Sequence, residues 1–255
     1  VDYHLHSRFS VDGHASLPQI CACAAMRGIA EVGITDHLEC EPVDAGYGFF
    51  DYATYSHALE STRREWGRRL TLRKGVEMDY QAAHEDTIRQ TLTALRFDFV
   101  VGSVHYVDHQ LITPRLIAEK GLRWLYPRYL REVTNSLHSG LFHVVGHYDL
   151  VQKYLPPSRA HVFRAEREAV LDAIVDANLY LEINTRQLHG AYRDTIPRWD
   201  VIDEYIARGG RRFSVGSDAH FLRDVGLGVS EALTNLTTRG DDDLTMLFEV
   251  GTPGT

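Results

Sequence analysis

The sequence predicts a single-domain α/β fold, a barrel of parallel strands surrounded by helices. Three observations carry this expectation. Short apolar runs alternate with longer segments of helical period along nearly the whole chain. That alternation implies parallel pairing with right-handed crossovers. The 255 residues suit one α/β barrel, with no linker, repeat or low-complexity block to divide them. A doubly wound open sheet is the structural alternative, but no G-x-G-x-x-G follows the first strand, which weakens a dinucleotide-binding reading.

The first strand is expected over Val1–Leu5. A helix follows over Ser16–Gly28: Ser16 and Gln19 have capping-box spacing, Leu17, Ile20, Cys21, Ala24 and Ala25 share a face, and Gly28 suits the end. Ile29–Thr35 reads as the second strand. A looser stretch with glycines and aromatics leads to a helix over Tyr52–Arg68. Leu70–Val76 is the third strand, Glu85–Leu95 a helix, and Phe97–Val101 the fourth strand. Pro114–Ser139 is mostly helical and Leu141–Val145 is the fifth strand. Ala165, Ala169, Val170, Ala173, Ile174 and Ala177 give Ser158–Ala177 a helical face. Leu179–Ile183 is the sixth strand, Pro197–Arg208 a helix stopped by Gly209 and Gly210, and Arg212–Val215 the seventh strand. A last short helix lies before Val250; residues 1–250 form the expected domain and Gly251–Thr255 a frayed tail.

Composition is ordinary for a globular protein, 44% hydrophobic and 24% charged. A net charge of −8 argues against a broad grip on long nucleic acid or an anionic membrane, though not against a small anionic substrate. No run of apolar residues is long enough for a membrane span. Cys21, Cys23 and Cys40 are an odd, sparse set, so a reducing cytoplasm is expected rather than a disulfide framework. Nothing in the sequence sets an oligomeric state.

The fourteen histidines matter through their positions. His4 and His6 end the first predicted strand. Asp36 and His37 follow the second, Glu77 the third, His105 the fourth and His147 the fifth. Glu182 and Asn184 end the sixth; Asp218 and His220 follow the seventh. In a parallel barrel all strand C-termini open on one face, so these groups are brought to a common rim. A lone H-x-H is weak evidence and a single buried histidine is usually a hydrogen-bonded core residue. Repetition of metal-competent groups at the same phase of every strand is not explained that way. In His4-Leu5-His6 the period of two aims both imidazoles to one side, and Asp218-Ala219-His220 repeats the device. Imidazole and carboxylate donors without thiolates suit zinc, iron or manganese.

These residues resemble the polymerase and histidinol phosphatase (PHP) superfamily. The likeness lies in His4-Leu5-His6, Thr35-Asp36-His37, Gly75-Val76-Glu77, Gly102-Ser103-Val104-His105, Gly146-His147 and Gly216-Ser217-Asp218-Ala219-His220, which span almost the whole chain in the family's order. Within it the chain is most similar to the phosphatases of L-histidinol phosphate, through Glu77-Met78-Asp79-Tyr80, Phe97 to His105, Gly146 to Val151 and Leu181-Glu182-Ile183-Asn184-Thr185. The resemblance implies a distorted (β/α)7 barrel with two or three divalent cations at the strand ends. It implies His4, His6, Glu77 and Asp218 on a first cation, Glu77 bridging to a second with His105 and His147, and Asp12, His37 and His220 on a third. Asp12 is preferred to His14, which lies two residues beyond the expected position. The chain departs from the family in Arg186-Gln187-Leu188-His189, where a Ser-Gly-Leu-Arg-like run is common. Arg186, His189 and Arg193 are the candidate phosphate-binding residues, with solvated loop charges as the competing reading.

The implied reaction is hydrolysis of a small phosphate monoester, L-histidinol phosphate above others, by a hydroxide shared between two cations. Asp36 is a candidate acid for the leaving group; a metal-bound water is equally placed for that role. Hydrolysis of a nucleotide or nucleic-acid end, and a metal-binding module without catalysis, are the alternatives.

Overall fold

A computed structural model of the chain describes residues 1–155, 163–239 and 243–248. The chain begins with β1 (Asp2–Leu5), α1 (Leu17–Met26), β2 (Glu31–Ile34), β3 (His37–Leu38), α2 (Tyr52–Trp66), β4 (Thr71–Lys74), β5 (Glu77–Asp79) and α3 (Glu85–Ala94). It continues through β6 (Val101–Ser103), β7 (Tyr106–Val107), β8 (Gln110–Leu111), α4 (Pro114–Lys120), α5 (Leu122–Ser139), β9 (Val144–Val145) and α6 (Arg164–Asp176). The last elements are β10 (Tyr180–Asn184), α7 (Trp199–Ala207), β11 (Arg212–Gly216), α8 (Val229–Thr237) and β12 (Thr245–Met246).

The fold is α/β with parallel sheets. One sheet has the order β1-β2-β4 and the other β12-β11-β10-β9-β6-β5-β3, parallel throughout; β7 and β8 form a separate antiparallel hairpin. Backbone hydrogen bonds continue between the two sheets: Asp218 N donates to His4 O (2.8 Å), His6 N to Ala219 O (2.9 Å), and Asp98 N, on the way into β6, to Lys74 O of β4 (2.7 Å).

Each predicted strand has an observed counterpart, and beyond the expected ends of the second and third, at Thr35 and Val76, a break is followed by a further short strand, β3 and β5. Thr35 Oγ1 accepts from Leu5 N at 3.1 Å, so a side chain enters the ladder between β2 and β3. Gly75 N still donates to Ile34 O (2.8 Å) and Glu77 N to Asp36 O (3.2 Å), which carries the pairing past the break into β5. The fourth and fifth strands start later than their apolar runs suggest, because Phe99, Val100 and Phe142 pack as side chains before the ladder begins. The helical stretch Pro114–Ser139 is two helices, broken where Gly121 adopts φ +79°. The hairpin of β7 and β8 and the edge strand β12 were not expected. The predicted start of the sixth-strand crossover helix at Ser158 and the tail from Gly251 lie outside the described residues.

Local chemistry explains the helix starts. Gln19 accepts from Ser16 N at 2.9 Å, Asp51 accepts from Ala53 N and Thr54 N, and Thr113 Oγ1 accepts from Leu116 N at 3.1 Å. Leu17, Ile20, Tyr55 and Leu59 bury α1 and α2 against Val32, Ile34 and Leu72. Leu125, Tyr129, Leu171, Ile174, Val201 and Ile202 bury α5, α6 and α7 against Leu181, Ile183 and Phe213. A third cluster, Tyr3, Phe99, Val101 and Val144, draws side chains from strands of both sheets together. These contacts hold the C-terminal strand ends at one mouth.

Candidate metal centre

Glu77, at the first position of β5, is the centre of the site. It is 1% exposed, and imidazoles approach both its oxygens. On one side His4 Nε2 lies 3.1 Å and His6 Nε2 3.4 Å from Oε2, with the two nitrogens 3.1 Å apart. On the other, His147 Nε2 lies 2.8 Å and His105 Nε2 3.5 Å from Oε1, again with nitrogens 3.2 Å apart. His37 Nδ1 is 3.2 Å from Oε2. Neighbouring donors of a tetrahedral zinc with bonds near 2.0–2.1 Å are separated by about 3.3 Å. Both triangles have edges close to that length. Where two imidazole nitrogens each present a lone pair toward the same point, a shared cation satisfies both. The donor set therefore fits divalent transition metals.

A further group forms where the end of β1, the loop after it and the turn after β11 meet. His6, Asp12, His37 and His220 bring ligand atoms within 4.8 Å of one another. His220 Nε2 is 2.9 Å and His37 Nε2 3.8 Å from Asp12 Oδ2. Asp218 Oδ1 is 3.5 Å from His6 Nε2 and 3.4 Å from His220 Nδ1, between the two regions. His14 is elsewhere, stacked on Phe221 with ring centroids 4.5 Å apart.

Electrostatics hold the carboxylates and two of the rings in ligating forms, while carboxylates raise two other rings: against burial, Glu182 and Glu77 lift His4 well above the usual imidazole range and Glu77 lifts His37 to about 10. Burial pushes the Glu77 carboxyl up, but the His4 and His37 rings overcome this and hold it well below the usual carboxylate range. Asp218 is likewise low despite burial, held there first by the Arg186 guanidinium and then by His4. Burial, with His37 adding to it, lowers His6 to about 3. Burial also lowers His105 to about 3, against the pull of Glu77. Neutral rings of this kind present a free lone pair at ordinary pH.

Supporting residues orient the inner ones. Glu182 takes the Nδ1 of His4 with one oxygen (2.5 Å) and the backbone N–H of His147 with the other. Asp79 accepts from His105 N at 2.6 Å, Glu39 Oε1 is 3.2 Å from His37 Nδ1, Ser103 donates to Glu77 Oε1, and Asn184 Nδ2 donates to Asp218 Oδ2 at 3.1 Å. Of these, Glu182 and Asn184 are visible in the sequence as polar ends of a strand. Glu39 and Asp79 are masked there as ordinary acidic residues next to stronger signals.

The mouth opens into a cavity of about 420 Å³ lined by Asp12, His37, Glu77, His105, His147, Lys153, Tyr154, Arg186, Gln187, Asp218 and His220, with Leu150 at its wall. Arg186 Nη1 donates to Asp218 Oδ1 at 2.8 Å and faces His220. Lys153, which no sequence motif singles out, stands beside it; burial lowers its ammonium. The other expected substrate residues are placed differently. His189 is half-exposed with its Nε2 3.4 Å from Glu231 Oε2, and Arg193 is exposed; neither lines the cavity. Asp36 is fully buried and accepts from Ser7 N (2.6 Å), Ser7 Oγ (2.7 Å) and Ser10 Oγ (2.9 Å). Its carboxyl fastens the loop after β1 rather than facing the cavity, because both oxygens are taken by that loop's donors.

Comparison with known proteins finds relatives along nearly the whole chain. A family model described as the PHP domain matches residues 2–186. The probable histidinol-phosphatase of Deinococcus radiodurans is 29% identical, over 96% of this chain and 95% of that protein. The histidinol-phosphatase of Lactococcus lactis is 25% identical, over 96% and 93%. A crystal structure of histidinol phosphate phosphatase from Lactococcus lactis, complexed with zinc, L-histidinol and phosphate, superposes with a TM-score of 0.84 at 23% identity and covers 95% of this chain and 94% of that one.

Proposed function

The chain belongs to the PHP domain family, and from that premise we propose that it is a metal-dependent phosphatase converting L-histidinol phosphate to L-histidinol and phosphate. The observation that carries the proposal is the convergence of two imidazole pairs on the opposite oxygens of one buried carboxylate, Glu77, at the floor of a cavity that also holds Arg186 and Lys153. The similarity to histidinol-phosphatases over nearly the full length of both chains supports the substrate.

The same reading takes the parallel sheets as one distorted (β/α)7 barrel spanning residues 1–250. The bonds from Asp218 N to His4 O and from Asp98 N to Lys74 O support it, since they join the sheets at both sides. His4, His6, Glu77 and Asp218 would hold one cation, Glu77 with His105 and His147 a second, and Asp12, His37 and His220 a third. Zinc, iron and manganese suit these donors. Cations bound there supply Lewis acidity and lower the pKa of water toward neutrality.

The remaining work belongs to the chain's own side chains. Glu182 fixes the ring of His4 and the backbone of His147 at once. Arg186 and Lys153 balance the charge of a phosphoryl group and favour its binding at the mouth. A cavity of about 420 Å³ suits a small ester rather than a polymer.

The test is a phosphate-ester panel: L-histidinol phosphate, nucleoside monophosphates, a dinucleotide and an aryl phosphate, each with zinc, iron or manganese. The expected result is kcat/KM for L-histidinol phosphate at least ~100-fold above the rest, equivalent to about 2.7 kcal/mol of discrimination. Equal or higher turnover of a nucleotide would overturn the substrate assignment.

A further inference from the structure

A second histidine and carboxylate cluster lies outside the cavity. Glu41 is in the loop after β3, His84 in the turn preceding α3, and His109 in the hairpin of β7 and β8. Glu41 Oε2 lies 2.6 Å from His109 Nδ1 and 3.3 Å from His84 Nε2, and the ligand atoms of all three fall within 4.8 Å of one another. None of the three lines the cavity of the main centre.

The cluster is built rather than accidental. Glu41 is 2% exposed, while His109 is 57% exposed, so a buried anion meets a ring that reaches solvent. Gln81 orders both partners: its Nε2 donates to Glu41 Oε2 at 3.0 Å and its Oε1 accepts from His109 N at 3.4 Å. His109 sits at φ +60°, next to Asp108 at φ +48°, an uncommon conformation for residues with a Cβ that here turns the ring back toward Glu41. Glu41 is kept ionised although burial opposes it; the bonds from His109, Gln81 and His84 bring it to about 2.

We propose that Glu41, His84 and His109 form a separate binding site for one zinc-like divalent cation. Two imidazoles and one carboxylate are a familiar zinc donor set, leaving the fourth position to water on the exposed side. Binding requires the ring nitrogens that face Glu41 to present lone pairs, each neutral ring carrying its proton on its other nitrogen. The cation would pin three segments that share no ladder. One of them, the hairpin, follows directly on His105, and Gln81 also contacts Asp79, which holds His105 N. The site would thus stiffen the approach to the main centre from outside it.

The test compares wild-type protein with His84→Gln, His109→Gln and the double variant. Glutamine keeps a donor toward Glu41 and removes the imidazole. Each protein is equilibrated with zinc, desalted, counted by elemental mass spectrometry and assayed on L-histidinol phosphate. Wild type should carry one more zinc per chain than the double variant, each single variant should bind that zinc at least ~10-fold more weakly, and crystals of wild type should show anomalous density between the three side chains. Equal zinc counts, with the main centre loaded in both proteins, would overturn the site. Loss of turnover on every phosphate ester with the one-zinc difference intact would instead count against the proposed phosphatase and leave the site standing.

Discussion

At the scale of single residues, the site depends on carboxylates that are shared. Glu182 touches no expected cation but positions both imidazole pairs, through His4 Nδ1 and His147 N. Glu182→Gln should weaken zinc binding by about 10–100-fold, the usual effect of removing an outer partner of a ligand, and competition against a chelator measures it. Lys153→Ala removes a cation from the mouth without touching Glu77; kcat/KM should fall by about tenfold, or ~1.4 kcal/mol, with metal content unchanged. Steady-state kinetics beside metal analysis separates the two effects. The inner residues were readable in the sequence because they stand directly at strand ends, where period and direction are fixed. Asp36 occupies such a position too, yet its oxygens serve Ser7 and Ser10. A strand pattern locates a residue and leaves open which of two adjacent side chains faces the mouth, and here His37 does. Lys153 was invisible because it lies in a short helical turn whose placement over the cavity is set by tertiary packing.

At the scale of elements, the decisive contact is the close approach of β1 to β11. Gly216 allows it: a Cβ there would lie 2.3 Å from His4 Cβ. Gly216→Ala should cost about 1–3 kcal/mol through overpacking and displace His4, seen as a lower Tm together with weaker zinc binding. Most helices and strands could be anticipated, because caps such as Ser16, Asp51 and Thr113 and the apolar runs are local signals. The break that sets β3 and β5 apart beyond the second and third strands could not. It comes from Thr35 bonding to Leu5, a residue thirty positions earlier, and no local pattern records that. The hairpin of β7 and β8 escaped for another reason: its turn uses Asp108 and His109 at positive φ in place of the glycine or asparagine that usually announces such a turn.

At the scale of the whole molecule, the proposed metal centre would also join distant parts of the fold. Its expected donors come from β1 and the loop after it, β3, β5, the turn after β11, and the segments after β6 and β9. Cation binding is therefore coupled to global stability. Zinc at about 100 times its dissociation constant contributes ~2.7 kcal/mol per independent site. Chelation should lower Tm by about 5–10 °C and abolish turnover, with both restored by zinc, as scanning calorimetry and assay would show. The stabilisation should fade as pH drops through the range in which imidazoles take up protons, since protons compete with the cation for the same nitrogens. Asp2 accepts from Ser217 N at 2.8 Å and from Gly226 N at 2.8 Å, and Asp218 N donates to His4 O. A ribosome releasing this chain at about 5–20 residues per second has made β1 roughly 10–40 s before β11 follows it. Throughout that interval β1 has no partner along one side and the histidines at its end have only part of their future company. Metal capture at the proposed centre would then be completed only after Asp218 and His220 have followed and come into place.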